Sequence, residues 1–427
     1  MITKADCQQR DAADPLAGLR HQFSMGQVDR DRIIYLDGNS LGALPRNATI
    51  HLMHVTEQEW GSGLIRSWNT AGWITLSQTI GDKIATLIGA GRGEVMVADS
   101  TSINVFKALS VAAGFARADT PVRTKIVSER TNFPTDLYIA ETLAAGQGME
   151  LVLVDRDEIV AQLDDRVAIL LLTHVNYRTG HMHSMTDITR AAHDAGALVI
   201  WDLAHSAGAV PVDLHGADAD FAVGCGYKYL NGGPGAPAFI WAHPRHTARM
   251  DREGWRQPLS GWLGHAAPFA FTPGYQPAAG IQRFMCGTPP VLSLAALDCG
   301  IETVLSANPH GGMTAIREKS IALTQLFIDL VHQDCGGHGF VLVTPVEASQ
   351  RGSQVSFSHP EDGYAIMQAL VARGVIGDFR APDILRFGFT PLYTRFTDVW
   401  EAVERLNEVM TSGEWREPRF ALRGAVT

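Results

Sequence analysis

Two residues, Asp202 and Lys228, stand where a carboxylate and a primary amine could act on one bound group. The stretch that carries them, Ala197 to Pro237, reads ALVIWDLAHSAGAVPVDLHGADADFAVGCGYKYLNGGPGAP. Ala197 to Trp201 is an apolar run with β-branched members, the pattern of a buried parallel strand. It delivers Asp202 to the strand's carboxyl end, where open α/β sheets bind ligands. A second short run, Phe221 to Val223, leads into Tyr227 and Lys228 in a glycine-rich loop. The separation, 228 − 202 = 26 residues, suits an excursion that brings both ends to one face of a sheet. Pyridoxal 5'-phosphate (PLP) needs a lysine for a Schiff base and a carboxylate that keeps its pyridine nitrogen protonated. His205, three residues after Asp202, could lie over such a ring or orient the acid. An arbitrary Asp and Lys are more often a surface ion pair and a solvated side chain. Here the lysine lies in an uncharged segment rather than on a charged face.

The elements that must position these groups alternate strand and helix. Strands are expected at Ile33 to Leu36, Val95 to Ala98, Lys125 to Ser128 and Val167 to Leu172, the last leading to Thr173. Helices are expected at Ala48 to Trp60, Leu76 to Ile88, Val105 to Phe115 and Met185 to Ala195. That alternation implies a parallel sheet covered on both faces. Gly89 to Gly93 is a turn rather than a dinucleotide fingerprint. Hydroxyls at Ser100, Thr101 and Ser102 precede a helix and make a natural phosphate site. Asn39 and Ser40 suit a binding loop. Trp68 and Trp73, set among polar and glycine residues, suit a platform for a flat ring, though tryptophan is more often core. Asp136 reads as a helix N-cap. Arg245 to Gly280 is rich in Pro, Gly and aromatics. From about Asn308 the pattern is that of a smaller α/β domain, and within it Arg386 is flanked by apolar residues. A guanidinium there could grip a substrate carboxylate bidentately or serve an interdomain ion pair.

Composition narrows the class. At 427 residues the chain is long enough for two or three domains. A formal net charge of −10 argues against binding nucleic acid. Five cysteines without a CxxC pair point to a reduced, cytoplasmic protein. The start lacks the apolar core of a signal peptide, and no apolar stretch reads as long enough to span a bilayer. His174, His181 and His183 lack acidic or Cys partners at zinc-like spacing, so no metal is expected.

DLAH followed by GYKYLNGGPG resembles kynureninase, in the class V branch of the aspartate-aminotransferase-like PLP enzymes. Further matches are the N-S-L-G loop at Asn39, F-P-T-D at Phe133, and the loops Leu259 to His265 and Arg283 to Pro290. The resemblance runs from about Tyr35 to Tyr393. It implies an α/β fold of PLP fold type I: a large domain with a mostly parallel sheet plus a smaller C-terminal α/β domain. The expected division is 1–60 as an N-terminal segment packing with the small domain, 61–307 as the PLP domain, and 308–427 as the small domain. The resemblance puts Thr101 and Ser102 on the phosphate, Phe133 on the pyridine face, and Thr135, Asp136, Thr173 and His205 around the cofactor. It brings Trp262 and Thr288 to the phosphate from a neighbouring subunit, which implies a homodimer with a shared site. The family often has asparagine where Thr288 stands, which bears on ring-hydroxyl preference. Asn39, Ser40, Trp68 and Arg386 would face a small amino-acid substrate, with Lys228, Tyr227 and Asp202 as the catalytic residues. The implied reaction is hydrolysis of L-kynurenine to anthranilate and L-alanine, with the preference between it and its 3-hydroxy form left open. A class V aminotransferase leaves the aromatic-rich stretches idle. A cysteine desulfurase would carry His before the lysine, where Tyr227 stands, and would need Cys335 as its thiol. A PLP fold reduced to a binding module would have lost the lysine or its acid, and both are present.

Overall fold

The computed structural model describes residues 1–424, so the end of the expected C-terminal domain, 425–427, lies outside the described residues. Its largest sheet has seven strands in the spatial order Val95–Val97, Phe239–Ala242, Phe221–Gly224, Leu198–Asp202, Val167–Thr173, Lys125–Glu129 and Glu150–Val154. Only Phe239–Ala242 runs against the rest. The central strands are apolar on both faces because both are covered. Ile169 and Leu171 pack with Val105, Leu109 and Ala112 of the helix Thr101–Asp119. Leu170 and Leu172, one residue out of phase, pack into a second core with Ile80, Ile84, Leu294 and Leu297. That is the period-2 logic of a sheet buried on both sides. Parallel register sets Thr173 beside Asp202, and Asp202 beside Val223, so three strand ends open at one edge.

Several elements depart from the sequence reading. The edge strand Glu150–Val154 and the reversed strand Phe239–Ala242 are additional. The Pro- and Gly-rich segment begins with a helix, Pro244–Glu253, where proline fits the first turn and Gly254 stops it at φ 68°. The helix expected over 48–60 is α-helical only over Arg46–His54, then widens to i→i+5 turns over Val55–Gly63. There the hydroxyls of Ser62 and Ser67 donate to the carbonyls of Glu57 and Glu59. The next helix starts at Trp73 rather than Leu76, after Gly72 at φ 72°. One stretch, Val291–His310, is by length and composition apolar enough to cross a bilayer, contrary to the sequence expectation. It carries Asp298 and Glu302, both paired with Lys83, and buries Leu294, Leu297 and Ile301 in the sheet's core.

A separate antiparallel sheet follows, in the order Asp378–Arg380, Ile384–Gly388, Gln354–Ser358 and Val341–Leu342. The helices Gly312–Cys335, Gly363–Ala372 and Phe396–Ser412 supply the rest of its core. The N-terminal residues serve both cores. Cys7, Ile34 and Leu36 join the C-terminal one, and Ile34–Tyr35 pairs with Val375–Ile376. Leu16, Phe23 and Met25 join the core of the large sheet.

Candidate active site

At the carboxyl edge of the large sheet lies a cavity of about 340 Å³. Its lining includes Thr101, Ser102, Phe133, Thr135, Asp136, Thr173, Asp202, His205, Tyr227 and Lys228. Each arrives there for a local reason. Asp202 and Thr173 are the last residues of neighbouring parallel strands. Ser100 caps the helix Thr101–Asp119, its hydroxyl accepting from Ile103 N, so the hydroxyls of Thr101 and Ser102 are left to the cavity. Asp136 is not the N-cap that its sequence suggests. Phe133 holds that position and Pro134 the first helical one, because proline has a preset φ and no N–H to satisfy. Asp136 therefore sits in the first turn, buried at 1% exposure.

Lys228 Nζ lies 2.9 Å from His205 Nε2 and 5.8 Å from the centre of the Phe133 ring. Asp202 accepts a hydrogen bond from Ala204 N at 2.7 Å and meets the carboxyl of Asp136. Burial, and then the charge of Asp202, push the Asp136 carboxyl well up, which makes it the proton-bearing member of the pair. Burial also raises Asp202, while the Lys228 ammonium opposes the rise. Burial drives the His205 ring well below its usual range, and Lys228 adds to this, so the imidazole is neutral. Burial and the neighbouring Cys225 thiol raise the Tyr227 phenol, which keeps it protonated.

These residues fit the cofactor expected from the sequence. Asp136 Oδ2 is buried without a hydrogen-bond partner, a vacancy that a polar ligand in the cavity can fill. The helix N-terminus at Thr101 offers amides and hydroxyls suited to a phosphate. Phe133 is 38% exposed, with its ring toward the cavity and its edge held by Tyr177.

Other sequence candidates lie elsewhere. Asn39, Ser40 and Arg386 sit behind the cavity wall: Arg386 donates to Ser40 Oγ at 2.6 Å and to the carbonyl of Tyr177 at 2.8 Å. It is buried against Asp378 on the adjacent strand of its own sheet, and Asp37 Oδ1 of the N-terminal segment lies 3.8 Å from its Nη2. Trp68 and Trp262 lie 6.2 Å apart in an aromatic group with Trp73, and neither lines the cavity of its own chain. Thr288 is exposed and also outside it. His183 is bonded to Glu129 at 2.9 Å, an acidic partner supplied from a distant strand end, and His174 packs against Trp201.

Three residues were not legible as site members. Asn132 accepts from Thr173 Oγ1 and from Phe133 N, fixing both. Tyr177 lines the cavity and holds Phe133 edge-on. Gln354 joins His205 Nδ1 at 3.2 Å to the loop at Asn39. The Asn before Phe133-Pro134 was the one available signal, since Asn favours turns that bond back to the chain.

Comparison with known proteins agrees with this architecture. Residues 316–406 match the family model "Kynureninase C-terminal domain". Curated kynureninases of Burkholderia pseudomallei (strain K96243) and Pseudomonas fluorescens are each 54% identical over 430 aligned positions, covering all of both chains. Among solved structures, the cysteine desulfurase of Thermococcus onnurineus NA1 superposes with a TM-score of 0.75 at 17% identity, over 92% of this chain and 98% of that one. The Escherichia coli cysteine desulfurase CsdA gives 0.75 at 19%, over 93% and 98%. The latter two share the fold, whereas identity above half over the full length reaches further: this chain belongs to the kynureninase family.

Proposed function

We infer that the cavity at Lys228 is where this enzyme hydrolyses L-kynurenine to anthranilate and L-alanine with pyridoxal 5'-phosphate. The observation that carries the reading is the Lys228–His205 contact in one cavity with the paired carboxyls of Asp202 and Asp136. Bound there, the cofactor supplies a protonated ring that delocalises negative charge from the substrate's α-carbon.

In this reading Asp202 holds the proton on the ring nitrogen, and Asp136, itself protonated, keeps Asp202 oriented. Thr101 and Ser102 would hold the phosphate, with Phe133, Thr135, Thr173 and His205 lining the space for the ring. Lys228 would be the amine that anchors the cofactor's aldehyde, and as a free amine would move the substrate's α-proton. His205 is the neutral hydrogen-bond acceptor beside Lys228 Nζ and holds the amine in place. Water adds to the ring-bearing carbonyl, and Tyr227, whose phenol burial keeps protonated, would give a proton to the substrate's β-carbon as the bond between the two carbons breaks and the carbonyl carbon leaves as a carboxylate. Arg386, with Asn39 and Ser40, takes the substrate carboxylate.

The site is completed by a homodimer: Trp262 and Thr288, which lie outside their own chain's cavity, reach the partner's phosphate site, and Trp68 joins them near the substrate ring. The chain divides at about residues 60 and 307, and the enzyme works in the cytoplasm.

The fold shared with cysteine desulfurases raises the desulfurase reading, but Cys335 argues against it. That thiol is fully buried in the C-terminal core and pushed up to about 12, chiefly by burial and then by Asp334. A nucleophilic cysteine needs the opposite environment. The test is to load the protein with pyridoxal phosphate, add L-kynurenine, and follow anthranilate fluorescence with alanine. Equal amounts of both products are expected. Their absence despite a lysine-bound cofactor absorbance would return the desulfurase and aminotransferase readings to the front.

A further inference from the structure

Arg386 is engaged on nearly every side. Nη2 donates to Asp378 Oδ2 and to Ser40 Oγ, and Nη1 donates to the Tyr177 carbonyl. The Asn39 side-chain amide lies 3.1 Å from Nε and covers it. A guanidinium has five N–H groups, so one remains, and a forked grip on a carboxylate needs two. At 1% exposure the side chain is also sealed from the cavity. If Arg386 holds the substrate carboxylate, something must let go of it.

We propose that Asp378 is a built-in stand-in for the substrate carboxylate, holding Arg386 at rest and passing it to the amino acid on binding. This rests on the assignment of Arg386 given under Proposed function. Breaking a buried ion pair is costly when it strands a charge. Here it does not, because Arg380 Nη2 lies 2.6 Å from the same Asp378 oxygen and its side chain is 38% exposed, free to follow. The exchange replaces one carboxylate by another, so the charge opposite Arg386 is conserved. Ser40 touches both partners, 3.3 Å from Asp378 Oδ2 and 2.6 Å from Arg386 Nη2, and can bond either arrangement. Its loop is tied to the lysine side of the site by Gly42 N donating to the Tyr227 carbonyl at 2.8 Å.

The test uses the holoenzyme and three readouts: KM for L-kynurenine, inhibition by L-alanine, and inhibition by ethylamine, which lacks the carboxylate. Asp378→Asn keeps the shape and removes the competing charge. It should lower KM and the L-alanine inhibition constant by about tenfold, the worth of one charge-assisted hydrogen bond, and leave ethylamine unmoved. Arg380→Gln removes the second cation from Asp378 and should shift L-alanine in the opposite direction, severalfold. An Asp378→Asn enzyme that binds L-alanine more weakly overturns the proposal, because Asp378 would then be a fixed positioning residue. Should that variant not fold, an unchanged L-alanine constant in Arg380→Gln overturns it. Arg386→Gln separates the two levels. If it leaves L-alanine binding intact, the assignment of Arg386 itself falls. If it weakens L-alanine while Asp378→Asn does not strengthen it, only the exchange falls.

Discussion

Lys228 Nζ and His205 Nε2 meet at 2.9 Å, and the histidine is the neutral partner because it is buried beside a cation. Its Nδ1 faces Gln354 Oε1 at 3.2 Å, which places the ring proton there and leaves Nε2 as an acceptor toward the lysine. Lys228→Ala should abolish turnover, by at least about 10³-fold. His205→Phe removes the acceptor, together with the Nδ1 contact to Gln354, and should slow the loading of pyridoxal phosphate, read as growth of the lysine-bound absorbance. His205→Gln, which keeps a polar atom there, should retain more of that rate. Equal loading in His205→Phe and the unmodified enzyme would remove His205 from this role.

The Asp136–Asp202 pair makes a sharper prediction. Asp136 bears the proton, so Asn in its place preserves a neutral donor, and Asp136→Asn should cost less than about tenfold in kcat/KM. Asp136→Ala leaves Asp202 buried without that donor and should destabilise by about 1–3 kcal/mol. Asp202→Asn is different, since no carboxylate remains to hold a proton on the cofactor ring. It should bind cofactor and lose on the order of 10²–10³-fold in kcat. Single-turnover kinetics with urea unfolding separates the three. A severe kcat loss in Asp136→Asn would mean that Asp136, not Asp202, is the ionised member.

Why these groups were visible in the chain, while others were not, follows from how far each signal travels. Asp202 and Lys228 end apolar runs whose burial on both faces writes a continuous pattern, so strand end and residue type are read together. Phe239–Ala242 carries the same apolar signal but only four residues of it, directly after a glycine-rich loop. Glu150–Val154 is an edge strand with a weaker pattern. Arg386 announced itself by its apolar neighbours, yet its partner did not. Asp378 is eight residues earlier in a separate strand, and only the antiparallel register of the two brings them opposite. Gln354 and Asn132 act through contacts that span the chain. The separation of Trp68, Trp262 and Thr288 from the cavity is a matter of assembly, which no local pattern records.

Asp37 gives the stability of the protein an unusual pH dependence. Burial, and then the nearby Asp378 carboxylate, push its pKa up to about 7, against the pull of Arg386 and Arg380 and a hydrogen bond from Ser40. A carboxyl raised in the folded state binds its proton more tightly there than in the unfolded chain. Its contribution is therefore favourable at low pH and lost as pH rises from about 4, the unfolded value, to about 7. The loss should be of the order of 2–4 kcal/mol, from the size of that shift. Asp37→Asn should flatten this slope in urea unfolding of the cofactor-free protein between pH 5 and 8. An unchanged slope would place the proton on another group of the cluster.

The last prediction changes no chemical group. Gly42 N donates to the Tyr227 carbonyl, and a Cβ at Gly42 would stand 2.5 Å from the Lys228 carbonyl and 2.7 Å from Asn231 Cα. These are backbone atoms that cannot rotate aside, so Gly42→Ala must push the Asn39–Gly42 loop and the Lys228 turn apart. Asn231 itself sits at φ 56° and donates from Nδ2 to Thr303 Oγ1 at 3.0 Å, so the turn has little freedom to yield. A displacement of about 1 Å at a catalytic amine costs on the order of 10²-fold in rate. Overpacking of this kind costs about 1–3 kcal/mol in stability. Gly42→Ala should therefore fold, bind pyridoxal phosphate, and lose far more in kcat than its unfolding midpoint suggests. A variant with native kcat would show that the lysine turn tolerates the shift, and that the loop's contact with Tyr227 does not set the position of the amine.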